Sequence, residues 1–415
     1  MRIMYLTQWF DPEPNMIKGL AFVRALEAAG HQVTVVTGLP NYPTGRLYAG
    51  YRLGLIQRET IGGVRIVRLP LYPSHDNSSL RRSLNFLSFF LSALIYCLFR
   101  RTQFDLAYVY HPPITVGLAA ALAGQMRHLP FLLDVQDLWP DTVAATGMAG
   151  GRGLSGLLGW LCDFVYREAK AIVVQSDGMR RTLVERGVPE AKLAAIRNWA
   201  DVDELPATFA EPNIAQTVDR FQILYGGNFG RAQHLETVID AAAIIERERS
   251  DIEIILHGDG VEAARLRERA GDADLTNLRF AERLDKRAIT ALFARADALL
   301  IHLADDPLFA ITIPSKTQYY LAMGRPIIAG IAGEGAHLLR ESGAALVAPP
   351  EDAASLARAI CALADMPAAE RRAMGARGQV YYRERLSFDR GVAETLALLR
   401  GTYSGEPRTG PAATS

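Results

Sequence analysis

The chain alternates short apolar runs with amphipathic stretches, the strand–loop–helix rhythm of a parallel sheet covered by helices on both faces. Apolar, β-branched runs predict strands at 2–7, 31–37, 64–69, 105–110, 129–135 and 171–175. Helical periodicity between them predicts helices at 19–29, 115–127, 156–168 and 177–186. Gly30 closes the first of these, and Ser176 is placed to cap the last before Gly187. The rhythm stops over 201–220, where Pro206, Pro212 and scattered acids mark a linker. It resumes with strands at 221–225, 252–257, 278–280, 298–303 and 326–331, and helices at 235–247, 262–270, 286–295 and 315–323. A last long helix near 389–399 precedes a polar tail, 401–415, expected to be disordered. The expected fold is α/β, with two doubly wound Rossmann-like domains, 1–200 and 221–384. A C-terminal helix, 385–400, is expected to pack back on the first. Ligands of such sheets sit beyond the carboxyl ends of the strands, so a cleft between two facing sheets is the expected site.

One segment breaks the globular pattern. Residues 84–99 form an apolar run between Arg81-Arg82 and Arg100-Arg101. Sixteen residues fall short of the roughly 20 that a spanning helix needs. Asn85, Ser88 and Ser92 recur at helical spacing, giving a narrow polar stripe. A helix of this kind suits the plane of a membrane interface, with Phe86, Phe89 and Phe90 in lipid and the four arginines on anionic headgroups. A helix buried in the first domain, or in a dimer contact, is the alternative.

Composition narrows the function. The 415 residues carry 45 basic and 45 acidic side chains, which excludes a polyanion binder driven by global charge, so no nucleic-acid partner is expected. The charges are unevenly placed: residues 1–200 carry a net +7 and the remainder −7. Three cysteines without C-x-x-C spacing exclude disulfide scaffolds and zinc fingers and suit a reducing compartment. The start, 1–7, lacks a basic region before a long apolar core, so no secretory leader is expected.

Two signals point to phosphate. Gly226, Gly227, Asn228, Phe229, Gly230 and Arg231 lie directly after a strand and just before a helix. Glycines there let amides crowd an anion, and Arg231 adds a fork of donors; a tight turn is the alternative. In Thr312-Ile313-Pro314-Ser315-Lys316, Ser315 is placed to open a helix with Lys316 in its first turn. A cation there opposes the helix dipole unless something negative binds; a surface lysine with no role is the alternative. The chain has no Walker A pattern. Two D-x-D triplets, at 201–203 and 272–274, read as solvated acids rather than metal ligands, and no metal or cofactor is expected.

Together with Leu39–Gly45 (LPNYPTG), His111–Gly117 (HPPITVG), Asp137–Asp141 (DLWPD), Asn198–Asp201 (NWAD), Gly227–Gln233 (GNFGRAQ) and Ile313–Gln318 (IPSKTQ), these residues carry a family resemblance. Over about 1–400 the chain resembles the GT-B nucleotide-sugar glycosyltransferases of retaining family 4, in particular the WbuB-like group that makes bacterial surface polysaccharides. It departs from the wider family at several points. Ile311 and Tyr319 stand where paired glutamates are usual, Gln136 replaces a histidine, and the loop 15–19 has one glycine for two.

The resemblance implies metal-independent, retaining transfer of a sugar from a nucleotide donor, by family frequency a UDP-sugar, to a polyprenyl-diphosphate-linked saccharide. The place implied is the inner face of the cell membrane. Arg231, Lys316 and the glycine loop would stabilise the leaving diphosphate, and Asp137 would hold acceptor or donor hydroxyls or, alternatively, cap its own turn. Donor contacts are implied at Gly227, Asn228, Gly230, Arg283, Pro307, Leu308, Ser315, Thr317 and Tyr319, and acceptor contacts at Lys18, His111 and Trp139. A two-proline structural loop is the other account of His111. A sugar-nucleotide 2-epimerase and a non-catalytic nucleotide-sugar-binding subunit are the competing functions.

Overall fold

A computed structural model describes the chain except residues 15–16, 75–78, 112, 143–150, 201–219 and 405–415. It divides into two compact units, Met1–Arg197 with Gly391–Ser415, and Asn198–Arg390. The expected linker, the D-x-D triplet at 201–203 and most of the tail lie outside the described residues.

The first unit runs β1 (Arg2–Leu6), α1 (Leu20–Ala28), β2 (Gln32–Gly38), β3 (Gln57–Ile61), β4 (Val64–Leu69), α2 (Ser79–Phe99), β5 (Leu106–His111), α3 (Ile114–Arg127), β6 (Phe131–Val135), α4 (Gly151–Glu168), β7 (Ala171–Val174), α5 (Asp177–Glu185) and β8 (Leu193–Ala195). Its sheet has the order β3-β4-β2-β1-β5-β6-β7-β8, parallel except for β3, which turns back on β4. Strands β1, β6 and β7 are buried almost throughout, as a sheet covered on both faces requires. Ser176 caps α5 by accepting from the Met179 amide at 3.0 Å, as its position predicts.

The second unit runs β9 (Phe221–Asn228), α6 (Glu236–Glu246), β10 (Ile252–Asp259), α7 (Ala263–Asp272), β11 (Leu278–Ala281), α8 (Lys286–Phe293), β12 (Ala298–His302), α9 (Pro307–Ala310), α10 (Ser315–Met323), β13 (Ile327–Gly330), α11 (Gly333–Ser342), β14 (Ala345–Ala348), α12 (Ala353–Asp365) and α13 (Ala368–Tyr381). Its sheet, β11-β10-β9-β12-β13-β14, is parallel throughout. A π-helical turn, Tyr382–Leu386, leads into the last helix, α14 (Phe388–Ser404). Strand order reverses between β9 and β12, so the carboxyl ends of these two strands form the switch point at which such sheets hold ligands.

Helix α2 differs from the expectation in length and in facing. It begins at Ser79 and has 21 residues, and its stretch Leu80–Phe99 is long and apolar enough to cross a membrane by length and composition. Its polar stripe, however, points into the unit. Asn85 accepts from the Gln8 amide at 2.6 Å and donates to the Tyr72 carbonyl at 2.7 Å, and the Ser88 hydroxyl accepts from the Tyr72 amide at 2.8 Å. Phe89, Ala93 and Cys97 are fully buried beside it. The face left outside is Leu80, Leu84, Leu87, Leu91, Ile95 and Phe99, from 44% to 79% exposed. That corrects the expected lipid-facing set. Phe89 belongs to the core, Phe90 is half-buried, and Phe86 packs edge-on to Trp9 and Trp139. Of the flanking arginines, Arg81 and Arg101 are exposed and Arg82 is half-buried. Arg100 is buried over the Phe104 ring.

Candidate active site

Glycines clear the carboxyl end of β9. Gly227 takes φ 150° and Gly258, its partner on β10, φ 158°. A Cβ on Gly258 would come within 1.9 Å of the Gly227 carbonyl oxygen, and one on Gly260 within 2.4 Å of the Phe229 oxygen. The two backbones touch here, leaving no room for a side chain on Gly258 or Gly260. The loop amides are largely engaged: Gly226 N–H donates to the Tyr320 hydroxyl at 3.3 Å, Phe229 N–H to the Asp259 carbonyl at 2.9 Å and Gly230 N–H to the Gln233 side chain at 3.1 Å. Much of the loop's glycine content therefore serves close backbone packing, and anion recognition passes to side chains.

The central side chain is Lys316. Helix α10 begins at Ser315, which is exposed as its first residue after Pro314, as its position predicts. The Thr317 amide turns back to the Pro314 carbonyl at 2.8 Å, and Gly324, at φ 66°, closes the helix. This places Lys316 in the first turn, where its ammonium donates to the Tyr225 hydroxyl at 3.1 Å and lies 4.5 Å from the centre of that ring. Desolvation by burial pushes the Lys316 amine down to about 8. A desolvated cation in a first helical turn, with no ion-pair partner among the described residues, has the potential and the donors that an anion would need.

Arg231 follows the loop but extends outward. Its side chain is 83% exposed and meets Glu262 at 3.3 Å. The Asn228 side chain is exposed at the loop's apex beside Gly230. Across the switch point, His302 ends β12 with Nδ1 2.8 Å from the Gln233 carbonyl; burial pushes the imidazole down to about 4, so it remains neutral. Asp306 caps α9 by accepting from the Leu308 amide at 2.8 Å, with Pro307 exposed at its first position and Leu308 half-buried. Arg283 is exposed in the loop after β11. Thr317 is fully buried. Tyr319, where the family usually has glutamate, bonds through its hydroxyl to Thr290, and Ile311 ends α9.

In the first unit, Asp137 follows β6 and burial pushes its carboxyl up to about 6. Beyond it Trp139 joins an aromatic series, Tyr42–Trp9–Phe86–Trp139, with ring centres 5.6, 6.2 and 6.4 Å apart. Lys18 does not face an acceptor. It is fully buried in an ion pair with Asp134, which also accepts from Tyr108 and, at 2.5 Å, from Gln136. The correction has a simple cause, since the apolar strand 131–135 carries one acid whose charge needs a buried partner. His111 ends β5, and its side chain lies outside the described residues. Tyr225, Glu262 and His302 were not singled out from sequence; Tyr225 alone had a signal, its place one residue before the glycine pair.

The comparisons agree with this architecture. Residues 20–199 match the glycosyl transferase 4-like domain and residues 220–366 the glycosyl transferases group 1 domain. The chain is 29% identical over 318 residues to the glycosyl transferase WcaI of Escherichia coli K12, named for colanic acid biosynthesis, covering 73% of this chain and 76% of that protein. It is 27% identical over 238 residues to the glycosyltransferase WbjE of Pseudomonas aeruginosa, covering 55% of this chain and 58% of that protein. Among solved structures, sucrose-phosphate synthase of Thermosynechococcus elongatus superposes with a TM-score of 0.72 at 18% identity, over 98% of this chain and 100% of that one. Anabaena HepE, in complex with UDP and glucose, gives 0.67 at 15%, over 96% and 99%. Two Rossmann-like units with this strand order define the GT-B fold. The chain belongs to the GT-B glycosyltransferases of family 4, and it is a transferase.

Proposed function

We propose that the protein transfers a sugar from a UDP-linked donor to a polyprenyl-diphosphate-linked saccharide during surface polysaccharide assembly. Transfer keeps the donor's anomeric configuration and needs no metal. The observation that carries this is Lys316 in the first turn of α10, its ammonium donating to the Tyr225 hydroxyl at 3.1 Å and seated where Gly227 has no side chain. As the bond from the anomeric carbon to the diphosphate oxygen breaks, its electron pair and charge pass to that oxygen. Lys316, the end of α10 and Arg231 are the groups available to stabilise it. The acceptor hydroxyl attacks from the same face, its oxygen bonding to the anomeric carbon and its proton passing to the leaving phosphate. Asp137 would hold hydroxyls of the acceptor. Support for the donor comes from the UDP-bound HepE structure, and for polysaccharide assembly from the name of WcaI.

The lipid half of the proposal rests on the outward face of α2. Six large apolar side chains recur at helical spacing over Leu80–Phe99, with Arg81 and Arg101 exposed near the two ends. Helix α3 packs against both α2 and α4, and Leu157 and Trp160 of α4 add exposed apolar surface to the same helical layer. An apolar surface flanked by basic residues suits an anionic bilayer and supports a peripheral position on the inner face of the cell membrane.

Incubation with UDP-sugars and an undecaprenyl-diphosphate-linked saccharide tests the reading. The expected product is a lengthened lipid-linked saccharide with the donor's anomeric configuration by NMR, formed equally in EDTA. Hydrolysis or epimerisation without transfer would overturn it.

A further inference from the structure

We propose that Tyr225 is the positioning residue of the donor diphosphate site, locking the Lys316 ammonium and the glycine loop into one rigid anion receptor. The inference rests on the proposed function above and adds a residue that neither the family motifs nor the comparisons single out.

A phenol has one proton and accepts through its remaining lone pairs. The Tyr225 hydroxyl donates to the Asn228 carbonyl at 2.7 Å, which bends the loop back over its own strand. That commits the proton, so the oxygen faces Lys316 as an acceptor, and the ammonium donates to it at 3.1 Å. The same ring lies 4.5 Å below the ammonium, within cation–π range. Two attractions from one side chain thus seat a flexible four-carbon lysine that would otherwise sample many rotamers. Gly227 completes the seat, because a Cβ there would stand 2.7 Å from the ammonium nitrogen. Tyr225 itself is fully buried, its ring 6.1 Å from Phe229, and burial keeps the phenol protonated far above neutral pH. Tyr225 touches no reacting atom in this scheme. It presets the amine and the loop before the anion arrives, which lowers the ordering cost of binding.

A double-mutant cycle with UDP as the probe separates this role from simple support of the fold. Affinities are measured by titration calorimetry for wild type, Tyr225→Phe, Lys316→Met and the double variant, each checked for folding by circular dichroism. Tyr225→Phe is expected to weaken UDP about 10-fold in the wild-type background and less than 2-fold in the Lys316→Met background. Equal losses in both backgrounds would show that the hydroxyl only supports the loop, and would overturn the inference while leaving the diphosphate site standing. Wild-type affinity in Lys316→Met would overturn the site itself. If Tyr225→Phe does not fold, Lys316→Arg serves instead. It keeps the charge but not the fit against Gly227, and an affinity within 2-fold of wild type would overturn the positioning role, against an expected loss of 10-fold or more.

Discussion

Asn85 and Gln8 meet side chain to side chain at 2.6 Å, across 77 residues of sequence, inside the first unit. The contact fixes the rotation of α2. With the amide of Asn85 held, the leucine face is turned out. Asn85→Leu should leave the Gln8 amide and the Tyr72 carbonyl with unmet hydrogen bonds, at about 1–3 kcal/mol each for buried groups. A urea titration should show a clear loss of stability, larger than that of Ser92→Ala on the same helix.

The two faces of α2 should respond oppositely to substitution. Leu84→Ser, Leu87→Ser and Leu91→Ser together should leave the melting temperature almost unchanged and remove most co-sedimentation with anionic vesicles. Each leucine buried in lipid contributes up to roughly 1.5–3 kcal/mol. Phe89→Ser should instead destabilise the fold by several kcal/mol, near the 3–5 typical of a deleted core aromatic. High salt should release part of the bound wild type, because the arginine contribution, about 1 kcal/mol each, is screened.

Lys316→Met should lower turnover on the order of 10²–10³-fold by withdrawing stabilisation of the leaving group. The same variant should melt no lower than wild type in the absence of ligand, since it removes a desolvated charge without a counter-ion. Steady-state kinetics with saturating donor and a thermal melt measure the two effects.

The pH dependence has a definite sign. The Lys316 amine loses its proton at about 8 in the folded protein, against about 10.5 when unfolded. Between these values the unfolded state binds more protons, so the contribution of this group to ligand-free stability rises with pH. Affinity for a diphosphate moves the other way, because it needs the charged amine. UDP binding should fall as pH rises through about 8, and Lys316→Met should lack that step.

Lys18→Met should cost about 3–5 kcal/mol by leaving Asp134 buried without its cation, and the double variant Lys18→Met/Asp134→Leu should recover much of that loss. Chemical denaturation of the three proteins measures it.

Much of the fold was legible because parallel strands buried on both faces read as apolar runs. The exceptions share a physical cause. Strand β3, Gln57–Ile61, pairs with β4 at the sheet edge and is polar at Gln57, Arg58, Glu59 and Thr60, so it lacks the apolar run that marked its neighbours. The helices over 333–381 were not read at all. On α2, periodicity showed a polar stripe but carried no sign of which side met water; that was decided by Gln8 and Tyr72, far away in sequence. At the site, the glycines and Lys316 were visible as local violations of ordinary helix and strand chemistry. Tyr225 showed only its place before the glycine pair; its contact with Lys316 was hidden because that partner lies 91 residues further on.

The glycine contact between β9 and β10 has a consequence for how specificity can be written. Gly227, Gly258 and Gly260 lie where any added carbon would meet backbone or the Lys316 amine. This floor is blank: it offers no side chain with which to tell one sugar or base from another. Under the proposed function, selectivity for the donor falls to the surrounding loops, 282–284 and 305–309, in which Glu282, Arg283, Leu284, Asp305 and Pro307 are exposed. Altering the donor by design should therefore begin at those loops and leave the glycines alone, for the floor is a fixture shared by every sugar the fold could be taught to carry.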